Sequence, residues 1–436
     1  MMNNQEEIVE EVAEQRSLAS LLGSSRLPLM TWVSLGTTLL AFGFAGSEFA
    51  FYSIGGFSWI IALAFAAMIT VASANRITFP IGIWLPWIML VISYGITSDF
   101  ANLQRSTMLI CPIVVGIGAS TARITDEDLS IFLLVIKVLS VALIVIIVVL
   151  TGLLITGVLP ERTGFAPQAI TTLLLTTLFI SGYSYGNAKD VFWYLAIACI
   201  PIIALTRGPM VVTGLSLPLS FSPIKLQTRM IFFGVVVIAG LVLFFSPRVQ
   251  KKFFYSGEGT IEDLQDERKV STSGRRRMAE LLVVEIVRRP VFGHGANASE
   301  EFIYRYSRGQ LTHPHNDWLR FLYDYGLVGT AVFSLTILVQ IASLLRGARR
   351  STGATQILFS AGASSFLSFV LIMFTDNIVL YAAYFGNLQF TVLGLAYAAD
   401  HRARRLAVFA TDEEEEQESQ QESVRARQPQ RYAEPE

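Results

Sequence analysis

Apolar and polar positions fall in long blocks along this chain. A polar, acidic opening through residue 27 gives way to apolar runs at 28–46, 57–74, 78–96, 106–120, 130–152, 167–184, 190–206, 208–222 and 229–246. Further runs follow at 324–345, 356–375 and 378–399. A helix needs about 20 apolar residues to cross the hydrocarbon core of a bilayer, and shorter runs serve only where the membrane is thin or the segment re-enters. The pattern therefore predicts an all-α integral membrane protein with about twelve transmembrane helices. The runs at 106–120 and 208–222 are the shortest fits. The polar stretch 247–323, between the run at 229–246 and the last three runs, predicts one large extracytoplasmic loop containing amphipathic helices.

Composition agrees with a lipid environment. The 436 residues are 53% hydrophobic and only 15% charged, whereas soluble domains carry about a quarter charged residues. The net charge of -1 says little, because the charges gather at the ends and in the loops. The two cysteines, Cys111 and Cys199, lie inside apolar runs and define neither a disulfide framework nor a metal spacing. The opening EEIVEEVAEQ is unlike a secretory signal peptide. Membrane lipids are expected partners; nucleic acid is not.

Charge in the short loops tests the topology. With the N-terminus in the cytoplasm, the inner loops hold Arg76, Arg123, Lys189, Lys225, Arg229, Arg346, Arg349 and Arg350, and the tail begins with Arg402, Arg404 and Arg405. The outer short loops hold Arg105, Arg162 and Arg207. This bias is the positive-inside pattern. The expected organisation is a cytoplasmic N-terminal segment 1–27, transmembrane helices over 28–246, the large outer loop 247–323, further transmembrane helices over 324–399, and a disordered cytoplasmic tail 400–436 rich in acidic and polar residues.

Three stretches carry candidate chemistry. In SGRRRMAELLVVEIVRRP, Met278, Leu281, Leu282 and Ile286 recur at helical spacing, and Pro290 follows the end. Three arginines at the start, Arg275 to Arg277, oppose the helix dipole, which suits an anionic ligand or a lipid headgroup. In ALTRGPM, Arg207 sits between two apolar runs with almost no loop, a place for an anionic partner or for snorkelling to the interface. A planar guanidinium can grip phosphate oxygens in bidentate fashion.

The third stretch is LTHPHNDWLRFLYDYGLVG, which holds two of the four histidines. Asn316 suits an N-cap and Asp317 a first helical turn. In an extended segment His313, His315 and Asp317 would alternate onto one side, yet no fourth metal ligand accompanies them. A histidine at a helix mouth near the membrane surface also suits a general base, because imidazole titrates near neutral pH. No nucleophile motif and no glycine-rich phosphate loop occurs.

HPHNDWLRFLYDYGLVG resembles the signature of the O-antigen ligase and polymerase superfamily of membrane glycosyltransferases. SGRRRMAELLVVEIVRRPVFGHGANASEEF and TRGPM resemble two further motifs of that family, in the family's order and over most of residues 28–399. The resemblance implies transfer of a glycan from a polyprenyl-pyrophosphate carrier to the hydroxyl of a glycan or lipid-core acceptor. It implies the outer face of a bacterial inner membrane, with both termini cytoplasmic, and no cofactor or bound metal. His315 is implied as the catalytic base, and Arg207 and Arg275 as the residues holding the pyrophosphate. His313, Asn316 and Arg277, beside these residues in the sequence, are expected to give support. Arg105 and Arg162, argued from topology alone, are second-rank members of the same anionic pocket. Pro209 and His294 depart from the family's pattern without removing any of these residues. A non-enzymatic transporter or flippase is the contrasting expectation, though such proteins place ionisable groups inside their spans, and here Lys137 stands almost alone.

Overall fold

The computed structural model describes residues 27–43, 52–96, 100–158, 165–266, 268–271, 275–309, 311 and 313–427. Residues 1–26, Arg162, the Ser273–Gly274 pair and residues 428–436 lie outside that set. Helices follow one another as α1 (Leu29–Gly43), α2 (Tyr52–Ala72), α3 (Ile81–Ile96), α4 (Phe100–Ser120), α5 (Asp126–Ile155), α6 (Ala166–Ser184), α7 (Asp190–Ile203), α8 (Arg207–Ser216) and α9 (Leu226–Phe244). The segment expected to form the outer loop holds α10 (Pro247–Phe253), α11 (Arg275–Arg288) and α12 (Ala298–Tyr306), and then come α13 (Asp317–Arg350), α14 (Gly353–Ile372) and α15 (Asn387–Arg427). Among the described residues no strand forms, and Phe254 and Val270 make an isolated antiparallel bridge.

Helix lies on every apolar run, and the lengths differ in an informative way. Among the described residues five helical segments are long and apolar enough to cross a membrane: Asn102–Ser120, Asp126–Ile155, Leu226–Phe244, Asp317–Arg350 and Gly353–Ile372. No residue of α9 is buried, so an apolar helix of this kind has only lipid to cover it. By contrast α6 is buried over nearly its whole length and forms the centre of the bundle. Its Thr172, Thr176 and Thr177 hydroxyls donate to carbonyls of their own helix, which satisfies them without water. Lys137 also finds a partner: its Nζ lies 2.9 Å from an Asp190 carboxylate oxygen.

Two boundaries differ from the expectations. The run at 208–222 yields only the ten-residue α8, about 15 Å long and half of a bilayer core. Pro218 restricts the residue before it and ends the helix there. At the other end α15 continues to Arg427, so the backbone of 400–427 is helical where a disordered tail was expected. Glu, Gln, Ala and Arg dominate this stretch, and all are good helix formers.

The long α13 is broken at Gly326, whose φ of 65° and ψ of -166° are not helical. At that break the segment 290–295 crosses over the helix. Leu327 and Val328 donate to the carbonyls of Pro290 and Val291, and His294 and Gly295 donate to those of Tyr323 and Asp324, all at 2.8 to 3.1 Å. A Cβ on Gly326 would lie 2.3 Å from the Val291 oxygen, and one on Gly293 would lie 2.6 Å from the Asp324 oxygen. The Gly-x-Gly step and the glycine of YDYGLVG are thus two halves of one main-chain crossing. Gly326→Ala should combine a left-handed strain of roughly 1–3 kcal/mol with an overpacking cost of similar size. We expect a lower melting temperature and a lower yield of folded protein; a variant as stable as wild type would contradict this account of the crossing.

Candidate active site

The crossing fixes the start of α13, and with it the histidine stretch. Asn316 caps the helix by accepting from the Leu319 N–H at 3.0 Å. Asp317 is fully buried; its N–H donates to the Met373 carbonyl and its carboxylate accepts from the Val379 N–H. These two bonds clamp the helix mouth to the connection between α14 and α15. His315 has a positive φ of 51°, a conformation that is uncommon outside glycine. The turn breaks the alternation that would have put His313 and His315 on one side.

His315 consequently faces Asp376, with Nδ1 3.5 Å from a carboxylate oxygen and 3.4 Å from the Asn377 amide nitrogen. The same Asp376 oxygen accepts from the Tyr381 hydroxyl and the Asn377 N–H, both at 2.9 Å. Burial pushes the Asp376 carboxyl up, but His315 and these two donors outweigh it and hold it below the usual value. The group therefore stays ionised at neutral pH. A carboxyl depressed on folding contributes stability above its unfolded pKa and loses it as pH falls through the folded one. The melting temperature should accordingly drop on acidification below the ordinary carboxylate range, and Asp376→Asn should show a smaller drop. Equal acid sensitivity in the two proteins would contradict the assignment.

Three cations gather beside this pair. Arg275, at the first position of α11, donates to the Thr375 carbonyl at 3.0 Å; its buried Nε has no partner among the described residues. Gly208, next to Arg207, packs so closely on Thr375 that a Cβ would lie 2.6 Å from its hydroxyl. Arg207 donates to the Ser271 carbonyl at 3.1 Å and lies over the Phe253 ring. Lys252 donates to the Leu205 carbonyl at 2.5 Å. Among the described residues none of the three meets a carboxylate within 4 Å. Burial first, and then repulsion by Arg275, lowers the pKa of Arg207. Burial, Arg207 and Arg275 together lower that of Lys252. Cations that destabilise one another call for an anion.

The remaining expected residues go elsewhere. His313 turns to Glu300, 3.1 Å away. Glu300 also meets Arg105 and the buried Arg320, both at 3.4 Å, and Arg320 reaches on to Asp324. Burial pushes the Glu300 carboxyl up, yet His313, Arg320 and Arg105 outweigh it and lower it overall. Arg105 and His313 therefore belong to a second cluster that ties α12 to α4 and α13. Arg277 donates to the Tyr306 hydroxyl and stacks on its ring. His294 stacks on Tyr323 and contacts the Glu285 carbonyl, a packing role. Asp376, Lys252, Tyr381 and Glu300 were missed from sequence. Asp376 left a trace as the polar break FTDN between two apolar runs, and Glu300 sits in the quoted ASEEF; Lys252 and Tyr381 left none that separates them from interfacial residues.

The fold and the gathered charges define a polytopic helical membrane protein with a cationic, histidine-bearing site at one end of its bundle. Residues 191–334, from α7 to the first half of α13, match the family model for O-antigen ligase. That match supports the O-antigen ligase and polymerase superfamily, the one the motifs resemble, and covers Arg207, Lys252, Arg275 and His315 but not Asp376. No curated protein matches the chain.

Proposed function

We propose that this protein transfers or polymerises a glycan from a polyprenyl-pyrophosphate carrier onto an acceptor hydroxyl, at the outer face of a bacterial inner membrane. The observation that carries the reading is the convergence of Arg207, Lys252 and Arg275 with the His315–Asp376 pair around Thr375. The Asp376 carboxylate opposite Nδ1 favours the tautomer protonated there, leaving the Nε2 lone pair for the acceptor. The acceptor oxygen attacks the anomeric carbon, its proton passes to Nε2, and the bond from that carbon to the pyrophosphate breaks. The pyrophosphate leaves on its lipid with the electron pair. The three cations neutralise the charge that develops on it, the electrostatic task that preorganised donors do best in a water-poor site. The transporter reading gains no support from the span interiors, since Lys137 is already paired with Asp190.

Disruption of the gene tests the reading in cells. Lipid-linked glycan should accumulate, and a wild-type copy, but not an Arg207→Ala/Arg275→Ala copy made at the same level, should clear it. Full clearance by the double variant would overturn the proposed pyrophosphate site.

A further inference from the structure

A second cationic concavity lies at the opposite end of the bundle. α13 starts at the His315 site and ends at Arg350, which pairs with Asp400 in α15. From the Gly326 break to Arg350 the helix covers roughly 35 Å. Near Asp400 a cleft of about 520 Å³ opens between three segments: the α2–α3 connection, the α4–α5 connection and α15. Its lining includes Arg76, Arg123, His401, Arg402, Arg405 and Leu406 and, among the described residues, no carboxylate.

The arginines are set on held backbone. Thr78 and Phe79, just past Arg76, donate their N–H groups to the Ser120 hydroxyl, and the Thr78 hydroxyl donates to the Ser120 carbonyl. Arg123 sits on the short link between Ser120 and the capping box of Thr125 and Asp128. His401, Arg402 and Arg405 share one face of α15, being one and four residues apart. The neighbouring carboxylate, Asp400, is engaged by Arg350 and Arg404, neither of which lines the cleft. A bias of positive charge toward one side of a membrane requires arginines at this end. It does not require Arg76, Arg123 and Arg402 to line one concavity, and guanidinium groups gathered from three segments favour an anion between them.

We propose that this cleft is a binding site for a phosphoryl group, supplied by the headgroup of an anionic lipid or by free phosphate. Guanidinium groups match phosphate oxygens in bidentate geometry, and basic pockets between helices at the membrane surface are built for such headgroups. The site is separate from the His315 cluster and does not depend on the transfer reaction.

The test is native mass spectrometry of the detergent-solubilised full chain, titrated with phosphatidylglycerol, with phosphatidylcholine and with inorganic phosphate. Wild type should retain phosphatidylglycerol in preference to phosphatidylcholine. Arg76→Gln/Arg402→Gln should weaken that binding by about tenfold or more, while Arg349→Gln, at the same end but outside the cleft, should change it less than about twofold. Displacement of the lipid by inorganic phosphate, or binding of phosphate alone lost in the same double variant, supports the site with a soluble source. Lipid binding untouched by phosphate supports it with a lipid source. Arg123→Gln/Arg405→Gln serves as a second double variant if the first does not fold. Equal binding by wild type and the pocket variants, or an equal loss in Arg349→Gln, would overturn the proposal.

Discussion

His315→Ala should lower glycan transfer by about 10²–10⁴-fold, the usual contribution of a positioned general base, while the protein is made and inserted at the wild-type level. The side chain is partly exposed and contacts Asp376 and Asn377 rather than the core, so its loss has little to unfold. Donor binding should survive, because the cations that would hold the pyrophosphate are on other elements. The split between binding and turnover distinguishes a base from a ligand-holding residue. His313→Ala provides the comparison. That residue meets Glu300, and its loss should cost stability in the α12 region more than it costs turnover. A larger fall in turnover for His313→Ala than for His315→Ala would exchange their roles.

Arg275→Ala should be nearly as severe, about 10²–10³-fold in turnover by analogy with removal of one donor from a site that stabilises developing charge. Here the donor affinity should fall as well, since the same guanidinium would meet the ground-state pyrophosphate. Arg275→Lys should recover only part of the activity: the charge remains, but the planar fork is gone. Arg277→Ala should lose much less, because that side chain is committed to Tyr306. Measuring all three in parallel reads the register of the arginine triplet directly, and an Arg277 effect equal to that of Arg275 would contradict it.

Most of the helical framework was legible because lipid imposes a simple rule: apolar runs of sufficient length become helices. Where the rule failed, local chemistry explains it. The helix over 208–216 stops before Pro218, and the stretch 400–427 keeps its helix on propensity rather than on apolar content. Asn316 could be read as a cap from its place before an apolar face, and it is one. The site itself was only half readable. His315 and Asp376 are 61 positions apart, and what joins them is the Asp317 clamp onto Met373 and Val379, a contact no local pattern announces. Alternation placed His313 and His315 together, but the left-handed turn at His315 sends them to different carboxylates. The resemblance already favoured Arg275 over its two neighbours, but the Thr375 carbonyl that its side chain meets is a partner only the fold supplies.

The most direct measurement is glycan transfer by the purified protein in detergent solution, where no compartment exists to transport into. A polyprenyl-pyrophosphate-linked glycan and an acceptor would be supplied, and both the elongated or transferred glycan and the freed carrier would be followed. The account predicts transfer with stoichiometric release of the pyrophosphate-bearing carrier by wild type, and donor binding without release by His315→Ala. Donor binding by wild type with no transfer under any acceptor, or unchanged release by His315→Ala, would contradict it.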